Sequence, residues 1–377
     1  AYDLAYVLSQ FPKVSETFVL REIVEMRRRG LRIAIVSLKP SRERVTHPEA
    51  RALLAHRILP AWLSPRVAGA NAAEFSRQPL EYMRTLIDYA GLHRERPREL
   101  LKALAVWPKT VAAARALRQR GVRHIHAHWA TIPTASAIAI ARLLRAQFSF
   151  TPHAYDLYSA PLAPAEKTRR AAFVTTDIQR NVDFLRSIAP DADPSKIHLV
   201  RSFLKFPDAN AARGSEKASP PAILAVGSLE RYKGHDVLLR AGAILRGEGR
   251  AFQIWIAGGG REEAALRETA RELRMESAVR FLGPLAQSEV FARYREASIF
   301  ALASIRNPGG GEDNLPTVLM EAAGFGLPVV VSRVGAVEEF IEAGETGLLT
   351  EPGGAESLAA ALRELLENPP LRTRLGE

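Results

Sequence analysis

Two carboxylates, Asp313 and Glu321, stand eight residues apart across a helix start near the C-terminus. A glycine run, Gly309-Gly310-Gly311, delivers Glu312 and Asp313 to the mouth of that helix. Pro316 suits its first turn, where a fixed φ helps and a missing N–H costs nothing. Eight residues are about 12 Å of helix rise. That is the reach needed to hold the two ends of a sugar nucleotide, with the free N–H groups in between, up to Thr317, facing its diphosphate. The helix dipole by itself favours acids at the start. It does not explain Glu321, set among Val318, Leu319, Met320, Ala322 and Ala323. A carboxylate on an apolar helix needs a partner or a ligand.

Other segments offer chemistry of the same kind. Gly227 opens a strand–loop–helix turn that carries Arg231 and Lys233, two cations able to neutralise a diphosphate. Gly258-Gly259-Gly260 follows another strand and permits tight turning and close approach of a ligand, as a plain turn also would. His153 leaves a strand just after Pro152, which would point it into the cleft, or it is a capped loop histidine; Asp156 suits a helix N-cap. His124, His126 and His128 alternate and so share one strand face. No carboxylate cluster accompanies them in the sequence and cysteine is absent, so no metal site is expected. Ser15 caps an N-terminal helix, with Glu16 in its first turn. Residues 93–123 are strongly basic and interleave Leu100, Leu101, Leu104, Val106, Trp107, Val111 and Leu117. That composition suits either an anionic membrane interface or a solvated helix face over a core.

These residues need elements to position them. Tyr2–Leu8, Arg32–Leu38, Arg123–Ala127, Phe148–Thr151, Phe173–Thr176 and Ile197–Val200 read as strands, with a helix from Ser15 to Arg29 that stops at Gly30. The rhythm breaks at 205–221, a Pro/Gly-rich, polar linker. It resumes with strands at Ala222–Val226, Phe252–Ala257, Val279–Leu282, Ile299–Ala301, Pro328–Ser332 and Gly347–Leu349, and a closing helix at Glu356–Glu367. Strand–helix alternation predicts parallel sheets with helices on both faces. The expected organisation is α/β, with two doubly wound Rossmann-like domains, 1–204 and 222–377, facing across a cleft.

Composition sets the outer bounds. At 377 residues the chain exceeds one ordinary core. No stretch approaches 18 uninterrupted apolar residues. No signal-peptide pattern is visible at Ala1, so none is expected, and cysteine is absent; both fit a cytoplasmic setting, peripheral on the inner membrane face if the basic stretch docks there. The net charge of +11 fits free use of arginine, or a phosphorylated or membrane partner. Aromatic–basic interleaving of the RNA-binding kind is missing, so no nucleic-acid partner is expected.

Taken together, the motifs resemble the retaining glycosyltransferases of family four, with the two-domain GT-B architecture, in the bacterial exopolysaccharide and colanic-acid branch. Phe11-Pro12 with Ser15-Glu16-Thr17-Phe18 is similar to that branch's opening loop, and His126-Ala127-His128-Trp129 and Phe150 to Asp156 to its central motifs. Gly335, Glu339, Gly344, Gly347 and Pro352 match its C-terminal spacing, and Asp313 to Gly326 resembles its donor-site motif. Three positions depart from the pattern: Asp313 replaces the usual Glu, Ser228 an Arg, and Ser202-Phe203 a Gly-Val. The resemblance implies that Glu321 holds the donor ribose, Asp313 the transferred sugar, and Asn314 and Leu315 the diphosphate through backbone N–H groups. It implies that Lys233, helped by Arg231, neutralises the leaving phosphate and that His153 touches the sugar. The implied enzyme is a metal-independent hexosyltransferase without a cofactor, whose donor is a nucleotide-diphosphate sugar. Its acceptor would be a saccharide, lipid-linked if the basic half meets membrane. A sugar-nucleotide epimerase of the same fold and a non-catalytic sugar-nucleotide-binding protein are the alternatives.

Overall fold

The computed structural model describes residues 2–13, 16–41, 48–62, 64–201, 216–306 and 315–377. The chain divides into two compact units, Ala1–Ser202 and Phe203–Glu377. Most of the expected linker, 205–215, lies outside the described residues.

The first unit holds a seven-stranded sheet. Its strands are β1 Leu4–Gln10, β2 Ile33–Lys39, β3 Arg57–Ile58, β4 His124–His128, β5 Gln147–Thr151, β6 Phe173–Thr176 and β7 Ile197–Leu199. All pairings are parallel, in the order β3-β2-β1-β4-β5-β6-β7. Strands such as Leu4–Leu8 are apolar without alternation because helices cover both faces. Those helices are α1 Thr17–Arg28, α2 Pro48–Leu53, α3 Pro65–Arg77, α4 Pro79–Gly91, α5 Pro97–Arg118, α6 Ile132–Leu144, α7 Pro164–Arg170 and α8 Gln179–Ile188. The order reverses between β1 and β4, which makes that pair's carboxyl end the switch point where such sheets bind ligands.

The second unit repeats the design with six strands. They are β8 Ala222–Val226, β9 Gln253–Ala257, β10 Val279–Gly283, β11 Ile299–Leu302, β12 Val329–Ser332 and β13 Leu348–Thr350. The order is β10-β9-β8-β11-β12-β13, again all parallel, with the switch point between β8 and β11. The helices are α9 His235–Gly247, α10 Glu263–Glu272, α11 Gln287–Glu296, α12 Thr317–Gly324, α13 Ala355–Glu367 and α14 Pro369–Gly376. Each unit is thus a doubly wound α/β sheet, as the strand–helix alternation predicts.

Three local expectations change. Pro316 has an extended ψ of 126° and sits just before α12, so the helix begins at Thr317. Glu16 likewise precedes α1 and pairs with Lys13 at 2.7 Å, while the proposed cap Ser15 lies outside the described residues. Trp107 of the basic stretch is no membrane anchor: it is buried, and its indole N–H donates to the Tyr82 hydroxyl at 2.9 Å. Val106, Val111 and Leu117 are buried with it, so most of the apolar residues of α5 serve the core. Among the described residues no helix is long and apolar enough to cross a membrane.

Candidate functional site

In the second unit the chemistry gathers at the β8/β11 switch point. β8 ends at Val226, and Gly227 begins a loop closed by a short 3-10 turn, Arg231–Lys233. Gly234 follows with φ +64°, and a Cβ there would lie 1.8 Å from the Ala303 carbonyl oxygen, just past β11. Only glycine lets these two strand ends meet. The Lys233 stem passes over Gly227, since a Cβ on Gly227 would touch its Cδ and Cε at 3.7 Å. Its ammonium stands 5.3 Å from the Tyr232 ring centre. Arg231 on the same turn is exposed. Gly258 has φ +148°, and a Cβ there would lie 1.8 Å from the Gly227 carbonyl oxygen. Its place is explained by backbone packing beneath the loop.

Helix α12 carries the carboxylate that stood out in the sequence. Glu321 is buried, and the Tyr294 hydroxyl of α11 donates to its Oε2 at 3.3 Å. Burial, reinforced by the Glu321 charge, holds the Tyr294 pKa well above its ordinary value, so the phenol stays a donor. Leu315 and Thr317 are half-buried at the helix start. Asp313 and Asn314 lie outside the described residues.

In the first unit, β4, β5 and α1 assemble a histidine cluster. His126 and His128 share one face of β4, as their spacing predicts, and meet Glu22 from α1. Glu22 Oε2 is 3.4 Å from His128 Nε2, and Glu22 Oε1 accepts the Tyr6 hydroxyl at 2.7 Å. His128 Nδ1 lies 3.3 Å from His153 Nε2. Phe18 and Trp129 flank the His153 ring, at 4.9 and 4.5 Å between ring centres. A carboxylate therefore does accompany the histidines, contrary to the sequence expectation. Glu22, His126 and His128 offer three ligand atoms within 4.8 Å of one another, a donor set that could hold a metal ion. The same atoms also form a hydrogen-bonded network: His126 Nδ1 meets the Ser149 hydroxyl at 2.8 Å, and its Nε2 the Thr151 hydroxyl at 3.2 Å.

Beneath His153 lie two buried side chains of opposite charge type, Asp156 and Lys167, which sense each other electrostatically. Asp156 Oδ1 accepts the His153 backbone N–H at 2.7 Å, and its Oδ2 accepts that of Ala130. Lys167 donates to the carbonyls of Ala130 and Thr131 at 2.7 and 3.2 Å. Both side chains are fully buried. Asp156 thus ties the loops after β4 and β5 together instead of capping its own helix. Sequence reasoning missed Glu22 and Lys167. Glu22 stands four residues from both Phe18 and Met26, which puts it beside apolar residues on a helix, a usable signal; Lys167, in a basic surface-like run, gives none.

Burial pushes the pKa of His126 and of His153 down to about 3, against the opposing pull of the Glu22 charge. Each ring is neutral in the fold but protonates below about 6.5 once unfolded. The unfolded state then gains more protons as pH falls, so stability drops between about pH 6.5 and 3. Each ring contributes about 1.4 kcal/mol per pH unit. Asp156, which burial pushes up to about 7, titrates in the opposite sense. The test is therefore a difference. Urea unfolding of His126→Asn should show a pH slope about one proton shallower than wild type between pH 6.5 and 5; an unchanged slope would mean that His126 titrates normally.

Comparison with known proteins agrees with this architecture. Residues 208–377 match the family of glycosyl transferases group 1. The second unit is therefore a group 1 glycosyltransferase domain. Over 96% of its length the chain is 27% identical to 90% of the putative colanic acid biosynthesis glycosyltransferase WcaL of Salmonella typhimurium. It is 34% identical to the amylovoran biosynthesis glycosyltransferase AmsK of Erwinia amylovora, over 47% of this chain and 44% of that one. It is 39% identical to the D-inositol 3-phosphate glycosyltransferase of Corynebacterium aurimucosum, over 40% of this chain and 36% of that one. In these last two alignments the chain spans less than half of each relative's length. The crystal structure of Anabaena Alr3699/HepE in complex with UDP superposes with a TM-score of 0.68 at 16% identity, covering 99% of this chain and 92% of that one.

Proposed function

We propose that the chain is a retaining, metal-independent hexosyltransferase of cell-surface polysaccharide synthesis. Its donor is a nucleotide-diphosphate sugar held by the second unit, and its acceptor a saccharide held by the first. The observation that carries this reading is the loop at the β8/β11 switch point, where glycine geometry sets the Lys233 stem over Gly227. A diphosphate at that strand end meets a cation already in place. Glu321, braced by Tyr294, takes the ribose hydroxyls. The backbone N–H groups near Leu315 and Thr317, with those of Asn314, take the phosphates. Asp313 and His153 are assigned to the transferred sugar. The colanic-acid and amylovoran relatives support the pathway class, and the UDP complex of the fold neighbour supports the donor class.

Catalysis in this reading is positional and electrostatic. As the glycosidic bond breaks, charge grows on the leaving diphosphate, Lys233 offsets it, and a phosphate oxygen takes the acceptor's proton. His153 is neutral and hydrogen-bonds the sugar, and the Glu22–His128 network orients it. Incubation with UDP-, GDP- and ADP-hexoses and a saccharide acceptor, read by NMR of the new linkage, tests this. The expected product keeps the donor's anomeric configuration and forms in EDTA. An inverted linkage, or epimerised donor without acceptor, would reject the reading. His153→Ala should lower transfer about 10-fold, the worth of one polar contact to the sugar, without shifting nucleotide affinity.

A further inference from the structure

The first unit contains a cavity of about 810 Å³ that none of the assignments above uses. It opens at the carboxyl ends of β1 and β2, with Ser9, Leu38 and Lys39 on its wall. The start of α6, at Thr131 and Ile132, closes another side and turns a helix N-terminus towards it. This is the switch-point end of the sheet.

Its lining is unbalanced in charge. Among the described residues it carries Lys39, Arg96, Lys102 and Lys109 against one carboxylate, Glu99, which Lys102 already engages at 2.6 Å. Lys109 is only 4% exposed, yet it is one of the lining residues, and its ammonium donates to the carbonyl of Leu38, another lining residue. Burial, and after it the like charge of Lys39, lowers the Lys109 pKa. Two ammonium groups close enough to repel, one of them buried, lower the stability of an empty site and favour an anion within it. The remaining walls are apolar or aromatic, and Trp62 and Tyr155 are each 56% exposed. Such flat faces beside convergent polar groups suit the C–H face of a sugar, and the volume fits a ligand of that size.

We infer that this cavity binds a phosphorylated saccharide, with the phosphate against Lys39, Arg96 and Lys109 and the sugar against Trp62 and Tyr155. Calling that molecule the acceptor rests on the transfer reaction proposed above; the phosphate site itself does not. The phosphate could belong to a free sugar phosphate or to a lipid-linked saccharide, and the chemistry the cavity recognises is common to both.

Calorimetric titration of the full chain, with saturating UDP to fill the donor subsite, separates the possibilities. The probes are glucose, glucose 1-phosphate, and polyprenyl-diphosphate-linked glucose in micelles. At least one phosphorylated probe should bind 10-fold or more tightly than glucose. The double variant Lys39→Ala/Arg96→Ala should lose at least 10-fold of that affinity, because charge-assisted contacts dominate. Both side chains reach the surface, so the variant should melt like wild type and bind UDP equally well. Binding of glucose 1-phosphate marks a site for phosphate itself, and binding of the micellar probe alone marks a lipid-borne ligand; either outcome supports the inference. Equal affinity for glucose and both phosphorylated probes would overturn it, as would a preference that survives in the double variant. Failure of wild type to bind any nucleotide sugar would instead strike the transferase reading and leave this result standing.

Discussion

Lys233→Ala is expected to lower kcat for sugar transfer by about 10²–10³-fold, the usual effect of deleting one preorganised group that faces developing charge. The donor KM should move far less, because the ground-state diphosphate keeps its backbone N–H partners while only the leaving group gains charge. Lys233 is well placed for this role. Its stem is pinned over Gly227, and its turn is fixed by the Gly234 contact with Ala303. The ammonium therefore needs little reorganisation when the bond breaks. Arg231→Ala is the internal control. That side chain is exposed on the same turn, so solvent screens it, and its loss should cost less than 10-fold. Lys233→Arg should recover part of the rate but not all, since a planar guanidinium does not reproduce a point charge. Initial rates of nucleotide release with saturating acceptor decide the matter. An unchanged kcat in Lys233→Ala would remove the cation from the chemistry.

The largest expected loss of stability comes from Asp156→Ala. The substitution takes the acceptor from two backbone N–H groups, those of His153 and Ala130, and leaves the Lys167 ammonium buried without a counter-charge. Leaving two buried N–H donors unpaired costs about 1–3 kcal/mol each. At about 2–4 °C per kcal/mol for a unit of this size, the melting temperature should fall by about 4–24 °C. Asp156→Ala/Lys167→Met removes both charges and should recover a large part of that loss. If the double variant melts no higher than the single one, the two backbone caps, not the opposite charges, carry the stability. Nucleotide affinity, assigned above to the other unit, should stay at the wild-type level in both variants.

Much of the fold was legible in the order of residues. Runs such as Leu4–Leu8 and Ala222–Val226 are apolar at every position, and only strands buried on both faces need that. Helical stretches between them force parallel crossovers, so two doubly wound units follow. The residues proposed for the donor side stand out in the sequence for a related reason. Gly227, Arg231 and Lys233 lie within one strand–turn–helix segment, and Glu321 betrays itself by its apolar neighbours. Local spacing is enough when a site is built from a single loop or a single helix.

The other half of the chemistry depended on which strands lie side by side. Glu22 and His128 are more than 100 residues apart, yet they meet because β1 pairs with β4 and α1 leaves the end of β1. Asp156 reaches Ala130 because β5 lies next to β4. The basic cavity brings Lys39, at the end of β2, to Arg96 and Lys109 of the basic stretch that forms α5, and the same packing that exposes Trp62 buries Trp107, two tryptophans with nothing in their spacing to tell them apart. Periodicity states which face of an element is apolar; it carries no information about the neighbour that covers that face. Sheet order supplies that information, and it was fixed only when the whole chain was folded.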